Sequence, residues 1–356
     1  MLDNSKPYLI GETAFHHEGN VDFLMELIDA GINTGVDALK FHLLFDVFDY
    51  MIAEHAAIDV IKKIAIPQDK WLPVLSYVST KGIDIVLLCN DLESLSWVNK
   101  YQHDFNIVAI EIHATGLNDL FLLKEAAKFD KTVILGVGGS TFDEIKYAID
   151  FLHQNHKTDI FLMHGFQNYP TRYEDINLKR MTFLQGAFGL PVGYADHTDP
   201  QDDNANIVSV LPQSNGFNVL EKHFTHVYGE KRIDAQAAVS LENLKKTKEL
   251  MAVVYSTLGK DNFAFSVAEK KYGDTGPMKK AIVARKRIEK GEILSMDNLA
   301  FKRTNHSSKI KQYDLEKLIG STVKTSIEKD DLIDYSSVEY IYKVLDFNQF
   351  FVNDEK

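Results

Sequence analysis

The chain has 356 residues, 45% of them hydrophobic and 25% charged, without a low-complexity tract, so it can bury a sizeable core and exceeds one ordinary domain. Asp plus Glu number 51 against 39 Lys plus Arg, a net charge of −12 that argues against a nucleic-acid partner. The single cysteine, Cys89, excludes an intrachain disulfide and a cysteine-based zinc cluster, and fits a reducing, cytoplasmic setting. The first residues lack the basic start and apolar core of an export signal, and no apolar run is long enough to span a membrane.

Eight short apolar or β-branched runs follow one another: YLIGETA (8–14), ALKFHLL (38–44), IDIVLLC (83–89), VAIEIHA (108–114), TVILGVG (132–138), DIFLMHG (159–165), PVGYADH (191–197) and NVLEKHF (218–224). Between them lie segments with apolar residues three and four apart, such as VDFLMELIDAGINTG, NDLFLLKEAAKFD and TFDEIKYAIDFLHQ, which predict helices. Eight strand–helix units predict a (β/α)8 TIM barrel over residues 1–265, with its chemistry at the C-terminal strand ends. A doubly wound open sheet is the rival, but GETAFHHEGN after the first run contains no G-x-G-x-x-G phosphate turn. Residues 266–279, rich in charge with Gly and Pro, read as a linker; 280–340 as a small β-rich domain of short strands and Lys-Gly or Lys-Asp turns; 341–356 as a tail.

The expected strand ends carry Glu12, Lys40 with His42, His113, His164, Asp196 with His197, and Glu221 and Lys222 with His223. A buried strand normally stays apolar to its end, so histidines placed where strands emerge are available to something outside the core. Imidazoles combined with water or carboxylate oxygen can hold a divalent ion such as Mn2+ with positions open to substrate. Taken singly, each histidine also has a plainer reading, as a hydrogen-bonded or exposed side chain.

In order and near spacing, GETAFHHEGN, DALKFH, KTVILGVGGSTFDEI, NYPTRYEDINL, FGLPVGYADHT, VLEKHFT and VSLENL resemble motifs of the sialic acid (N-acetylneuraminate) synthase family. KKAIVARKRIEKGEIL, NLAFKRT and LIGSTVKTSIEKDDLI resemble its antifreeze-like (SAF) domain, so that residues from about 8 to 335 are covered. The resemblance implies an enzyme condensing phosphoenolpyruvate with an N-acetylated hexose to a nonulosonic acid for surface glycan biosynthesis. It implies that His197 and His223 ligate a divalent metal, most often Mn2+, with Mg2+ or Co2+ as substitutes. It implies that Lys40 meets the phosphoenolpyruvate anion, with a barrel-end lysine paired with a carboxylate as the lesser alternative. Tyr169 and Asp234 match residues that hold the amino sugar's hydroxyls. Glu12 matches an acid–base or metal-water partner. Arg303 matches an arginine that reaches the partner subunit's barrel mouth in a domain-swapped homodimer.

The chain departs from the family on the donor side. Glu111 stands where the family has a lysine, Ala114 and Ala195 where it has serines, His42 where it has a glutamine and Gln167 where it has an asparagine. His42 and Gln167 remain substrate-binding candidates. Glu111 would repel a phosphorylated donor, so either His42, His113 and His164 supply compensating cations or the donor differs. A same-fold enzyme with another donor and a non-catalytic sugar-binding paralogue are therefore the competing expectations.

Overall fold

The computed structural model describes residues 2–339 apart from 3, 167, 170, 260–262, 275–277 and 307. Gln167 and the tail from 340 thus lie outside the described residues. The chain divides into two compact units, residues 1–259 and 260–356.

In the first unit eight parallel strands close on themselves: β1 (Tyr8–Glu12), β2 (Ala38–Leu43), β3 (Asp84–Cys89), β4 (Ile107–Ile112), β5 (Thr132–Gly136), β6 (Ile160–His164), β7 (Val192–Asp196) and β8 (Val219–Thr225). They pair in chain order, and β8 returns to β1, which makes the unit a TIM barrel. All eight fall within a residue or two of the sequence expectation, because continuous Ile, Val and Leu runs suit strands covered on both faces. The two-residue strand Val239–Ser240 (β9) pairs in parallel with the end of β8.

The longer helices between the strands bury one apolar stripe each. In the helix Phe142–Gln154, Ile145, Ala148, Ile149 and Leu152 are buried, and a capping box between Thr141 and Glu144 fixes its start. Their faces join the outward strand residues in a large outer core, while Tyr8, Ala38, Val86, Ala109, Ile134 and Phe161 fill the barrel's interior. Small residues let the strand tips draw together: a Cβ on Gly138 would lie 1.8 Å from the Gly165 carbonyl oxygen, and one on Gly165 would lie 2.5 Å from that of Ala195. Neither position tolerates a side chain.

The second unit opens with a single helical turn, Val267–Glu269, capped by Ser266. It then forms an antiparallel pair, β10 (Ala281–Ala284) and β11 (Leu299–Lys302), with isolated bridges such as Ile288 to Ile327 and Val323 to Val338. Ile282, Ile288, Leu294, Leu318 and Val323 are part of its own core. Among the described residues of the whole chain no helix is long and apolar enough to cross a membrane.

Candidate active site

Strand register decides which polar groups meet. Glu12 ends β1 directly beside Lys40 on β2 and beside His223 on β8. Side chains alternate along a strand, so in β8 Glu221 and His223 share one face and Lys222 takes the other. From the even-numbered strands Lys40, Glu111, Met163 and Glu221 all line a cavity of about 260 Å³, together with His197, Ala114 and Ala195. That level of a barrel is ordinarily filled with branched apolar residues. Here three of the four are ionisable.

Lys40 is clamped. Its Nζ lies 2.7 Å from Glu111 Oε2, 2.9 Å from Glu221 Oε2 and 3.6 Å from Glu12 Oε2, and the side chain is 2% exposed. Burial alone would lower its pKa, but Glu111, Glu12 and Glu221 reverse the effect and hold it as an ammonium. One cation cannot satisfy three buried carboxylates. Burial raises the Glu111 carboxyl, and Lys40 offsets this only in part. Burial pushes Glu221 well above the carboxylate range; Lys40 opposes it, and the neighbouring Glu12 and Glu111 reinforce it. For Glu12 the balance inverts: burial raises it, but Lys40, His223 and His42 together hold it well below the ordinary value.

Beside the clamp sit the two histidines. Their ring centroids are 5.1 Å apart; Tyr169 meets His197 at 5.5 Å and His223 at 6.3 Å, edge-on to both. His197 is 4% exposed, and neither of its ring nitrogens has a hydrogen-bond partner among the described residues; the same holds for His223 Nε2. A buried polar atom without a partner costs free energy unless a ligand answers it. Burial, then the neighbouring His223, lowers the His197 pKa to about 3, which leaves its lone pair free. Glu12 Oε2 lies 3.4 Å from His223 Nε2. Two neutral-capable imidazoles beside a carboxylate suit a divalent ion whose other positions go to water or substrate. No three His, Cys, Asp or Glu side chains among the described residues form a ready-made metal cage.

The remaining expected residues separate. Tyr169 reaches the histidines, and its phenol is kept protonated by burial, with Asp234 and Glu12 adding to the effect. Asp234 is half-buried in the loop after β8, in a left-handed conformation (φ 63°), and accepts a 3.4 Å hydrogen bond from the Phe15 amide. Arg303 lies in the second unit just after β11, with Nη2 3.0 Å from Met278 Sδ. His42 is 2.5 Å from Glu12 through Nε2, so its nearest partner is a protein carboxylate. His113 lines the cavity and contacts Thr115 Oγ1 at 2.9 Å.

His164 corrects an expectation. It ends β6 but donates from Nε2 to the Ile176 carbonyl at 2.8 Å, and burial lowers its pKa. A neutral ring fixed to the backbone cannot be the compensating cation that the sequence suggested. The sequence reading also set Lys40 and Glu111 apart as separate influences on a donor, whereas the fold pairs them. Glu221 as a partner of Lys40 was missed, although the two-residue alternation of VLEKHFT was available to find it.

The chain matches the SAF domain over residues 279–339 and the NeuB family over residues 27–262. It is 30% identical to an uncharacterized protein of Methanocaldococcus jannaschii over 92% of this chain and 93% of that one. It is 26% identical to N,N'-diacetyllegionaminic acid synthase of Campylobacter jejuni, covering 92% of this chain and 99% of the relative. Among solved structures, N-acetylneuraminic acid synthetase from Leptospira borgpetersenii superposes with a TM-score of 0.68 at 21% identity, covering 75% of this chain and 90% of that one, a likeness of fold. On the family match and the full-length relatives together, the chain belongs to the NeuB family and carries a SAF domain at its C-terminal end.

Proposed function

We propose that this protein is a sialic acid synthase-like enzyme that joins a three-carbon donor to the aldehyde carbon of an N-acetylated hexose, giving a nonulosonic acid. The observation that carries the reading is the histidine pair, His197 with both ring nitrogens lacking a hydrogen bond and His223 beside the Glu12 carboxylate, facing Tyr169 at the end of a barrel whose relatives are named as synthases of such acids. His197 and His223 would hold a divalent ion, Mn2+ ahead of Mg2+ or Co2+, and that ion would supply Lewis acidity at a carbonyl oxygen.

The chain's own groups bind and orient. The Tyr169 hydroxyl, kept protonated, donates to an acceptor oxygen, and Asp234 accepts from the acceptor's hydroxyls. Glu12, ionised and bonded to His42, first takes up a proton as a base and then passes it to the acceptor oxygen as that oxygen becomes an alcohol. The Lys40 ammonium stands where negative charge gathers on the donor. Arg303 binds the N-acetyl carbonyl from a partner subunit, in a cytoplasmic domain-swapped homodimer.

Phosphoenolpyruvate is the donor that the family resemblance brings. With it the enol carbon attacks the aldehyde, water adds to the resulting cation, and phosphate leaves. The clamp on Lys40 favours a second reading, in which fold and acceptor site are kept and the donor differs. A phosphorylated acid would enter a cavity whose lysine already answers Glu111 and Glu221, and whose hydroxyls are those of Thr115 and Ser140, with none from Ala114 and Ala195. Incubation with Mn2+, a panel of N-acetylated hexoses and either phosphoenolpyruvate or pyruvate, followed by mass spectrometry, tests both readings. A nine-carbon 2-oxo acid is the expected product. If no sugar yields one with either donor, the protein is a sugar-binding paralogue and the synthase reading falls.

A further inference from the structure

We propose that His42 is a catalytic acid–base residue of this site: with Glu12 it forms a dyad whose free nitrogen, Nδ1, delivers the proton to the acceptor oxygen. The inference deepens the synthase reading and rests on it.

His42 lies two residues beyond Lys40 on β2, so its side chain takes the same face of the strand, one step nearer the C-terminal end of the barrel. Glu12, at the end of β1, is wrapped. His42 Nε2 is 2.5 Å from its Oε1, while His223 Nε2 and Lys40 Nζ are 3.4 Å and 3.6 Å from its Oε2. Both carboxylate oxygens are engaged, and the Glu12 side chain is 2% exposed against 10% for that of His42. Of the pair, it is therefore the imidazole that a guest in the barrel mouth can reach.

The tautomer follows from the partner. A carboxylate only accepts, so Nε2 carries the hydrogen of the 2.5 Å contact and Nδ1 keeps a lone pair. Glu12 is the only hydrogen-bond partner of His42 among the described residues. Phe15 packs edge-on against the ring, with centroids 5.0 Å apart, and holds its orientation. This is a base oriented by a carboxylate: Glu12 fixes the tautomer and offsets the charge when Nδ1 takes up a proton. An amide, such as the glutamine that the family resemblance places at this position, can hydrogen-bond a sugar but cannot carry a proton.

The step balances with either donor. The donor's methylene carbon bonds to the aldehyde carbon, the carbonyl π pair moves to oxygen, and that oxygen takes the proton from Nδ1 and becomes a hydroxyl. His42 returns from imidazolium to neutral imidazole with its Nε2 hydrogen still on Glu12. The donor side replaces the proton: water adding to the cation formed from phosphoenolpyruvate releases one, and so does the methyl group of a 2-oxo acid as it becomes the enolate. Nothing is oxidised.

The test has two arms. Nitrogen-15 NMR of the full chain labelled at histidine, without substrates, should show His42 protonated at Nε2 and bare at Nδ1, and Glu12→Gln should remove the far-downfield Nε2 proton of the short contact. With Mn2+, either donor and a sugar that the parent converts, His42→Gln should lower kcat about 100-fold or more, the usual contribution of an acid–base group, while KM for the sugar and the bound Mn2+ stay unchanged. Added imidazole should restore turnover to His42→Gly, a rescue that a merely structural role would not give. A bare Nε2 overturns the dyad. A His42→Gln protein that forms product as fast as the parent overturns the catalytic role and leaves the synthase reading standing. A parent protein that makes no product from any sugar removes the synthase reading and the catalytic assignment with it, whatever the tautomer.

Discussion

Asp196 and Lys222 form a 2.5 Å salt bridge with neither side chain exposed, and each is followed in the chain by one of the two candidate metal histidines, His197 and His223. The pair lies in register across β7 and β8. Ser209 donates to Asp196 Oδ2 at 2.5 Å and accepts from Lys222 at 3.1 Å, while the Thr198 amide and hydroxyl and the Tyr194 hydroxyl donate to Oδ1. Every acceptor position is used. The network faces away from the cavity and fixes the two strand ends from which His197 and His223 project.

Removing one charge from such a pair leaves the other buried alone. Lys222→Met should therefore lose about 3–5 kcal/mol in urea unfolding, and the double change Asp196→Asn with Lys222→Met should recover part of that loss. A Lys222→Met protein as stable as the parent would show that the pair does not hold the strand ends.

Metal uptake should require both imidazoles. His197→Ala and His223→Ala should each reduce Mn2+ bound, measured by elemental analysis after gel filtration, from near stoichiometric to background while the far-ultraviolet circular dichroism is unchanged. Unaltered metal content in both variants would dismiss a two-histidine site.

A pH dependence of stability should come from His17. Its Nδ1 accepts from the Gly19 amide at 3.0 Å, its ring is 1% exposed beside Trp71, and burial, followed by the nearby His42, His16 and Arg232, lowers its pKa to about 3. Because the folded value lies below the unfolded one, the unfolded chain takes up a proton that the folded chain refuses. Stability therefore falls as pH drops below about 6.5, by about 2 kcal/mol at pH 5, and the decline continues towards the folded value. His17→Gln should shrink the loss of stability between pH 8 and pH 5 by about 2 kcal/mol, the remainder coming from His197 and the other buried histidines with lowered pKa; an unshrunken loss would assign it to those groups alone.

Arg303 should matter for the acceptor alone. Arg303→Ala is expected to weaken acceptor binding by about 10-fold or more, the usual loss for a hydrogen bond to a charged group, and to leave Mn2+ content intact. Sedimentation equilibrium should find a dimer. A monomer at assay concentration that retains full activity would remove the swapped-domain arrangement.

The barrel was legible because its strands are uninterrupted runs such as IDIVLLC and TVILG, whose ends are marked by polar steps. Glu12, His197 and His223 were picked out in the same way, as polar residues near the close of a run, and Lys40 was named with them although it lies inside β2. What stayed hidden depends on closure. Lys40 and Glu221 are 181 residues apart and meet only because β8 returns to β1 and β1 pairs with β2. The fate of His164 was hidden for a similar reason, since the Ile176 carbonyl that captures it belongs to a loop whose path no periodicity reports.

The tips of β5, β6 and β7 touch through bare backbone, Gly138 against the Gly165 carbonyl and Gly165 against that of Ala195. A wall of this kind has nothing to exchange: any larger residue there collides with main chain that cannot step aside. Natural drift or laboratory selection towards a new ligand is thereby channelled to the neighbouring β4 side of the cavity, where Glu111 and Ala114 present replaceable side chains, and the first adaptive substitutions in such a lineage should accumulate there.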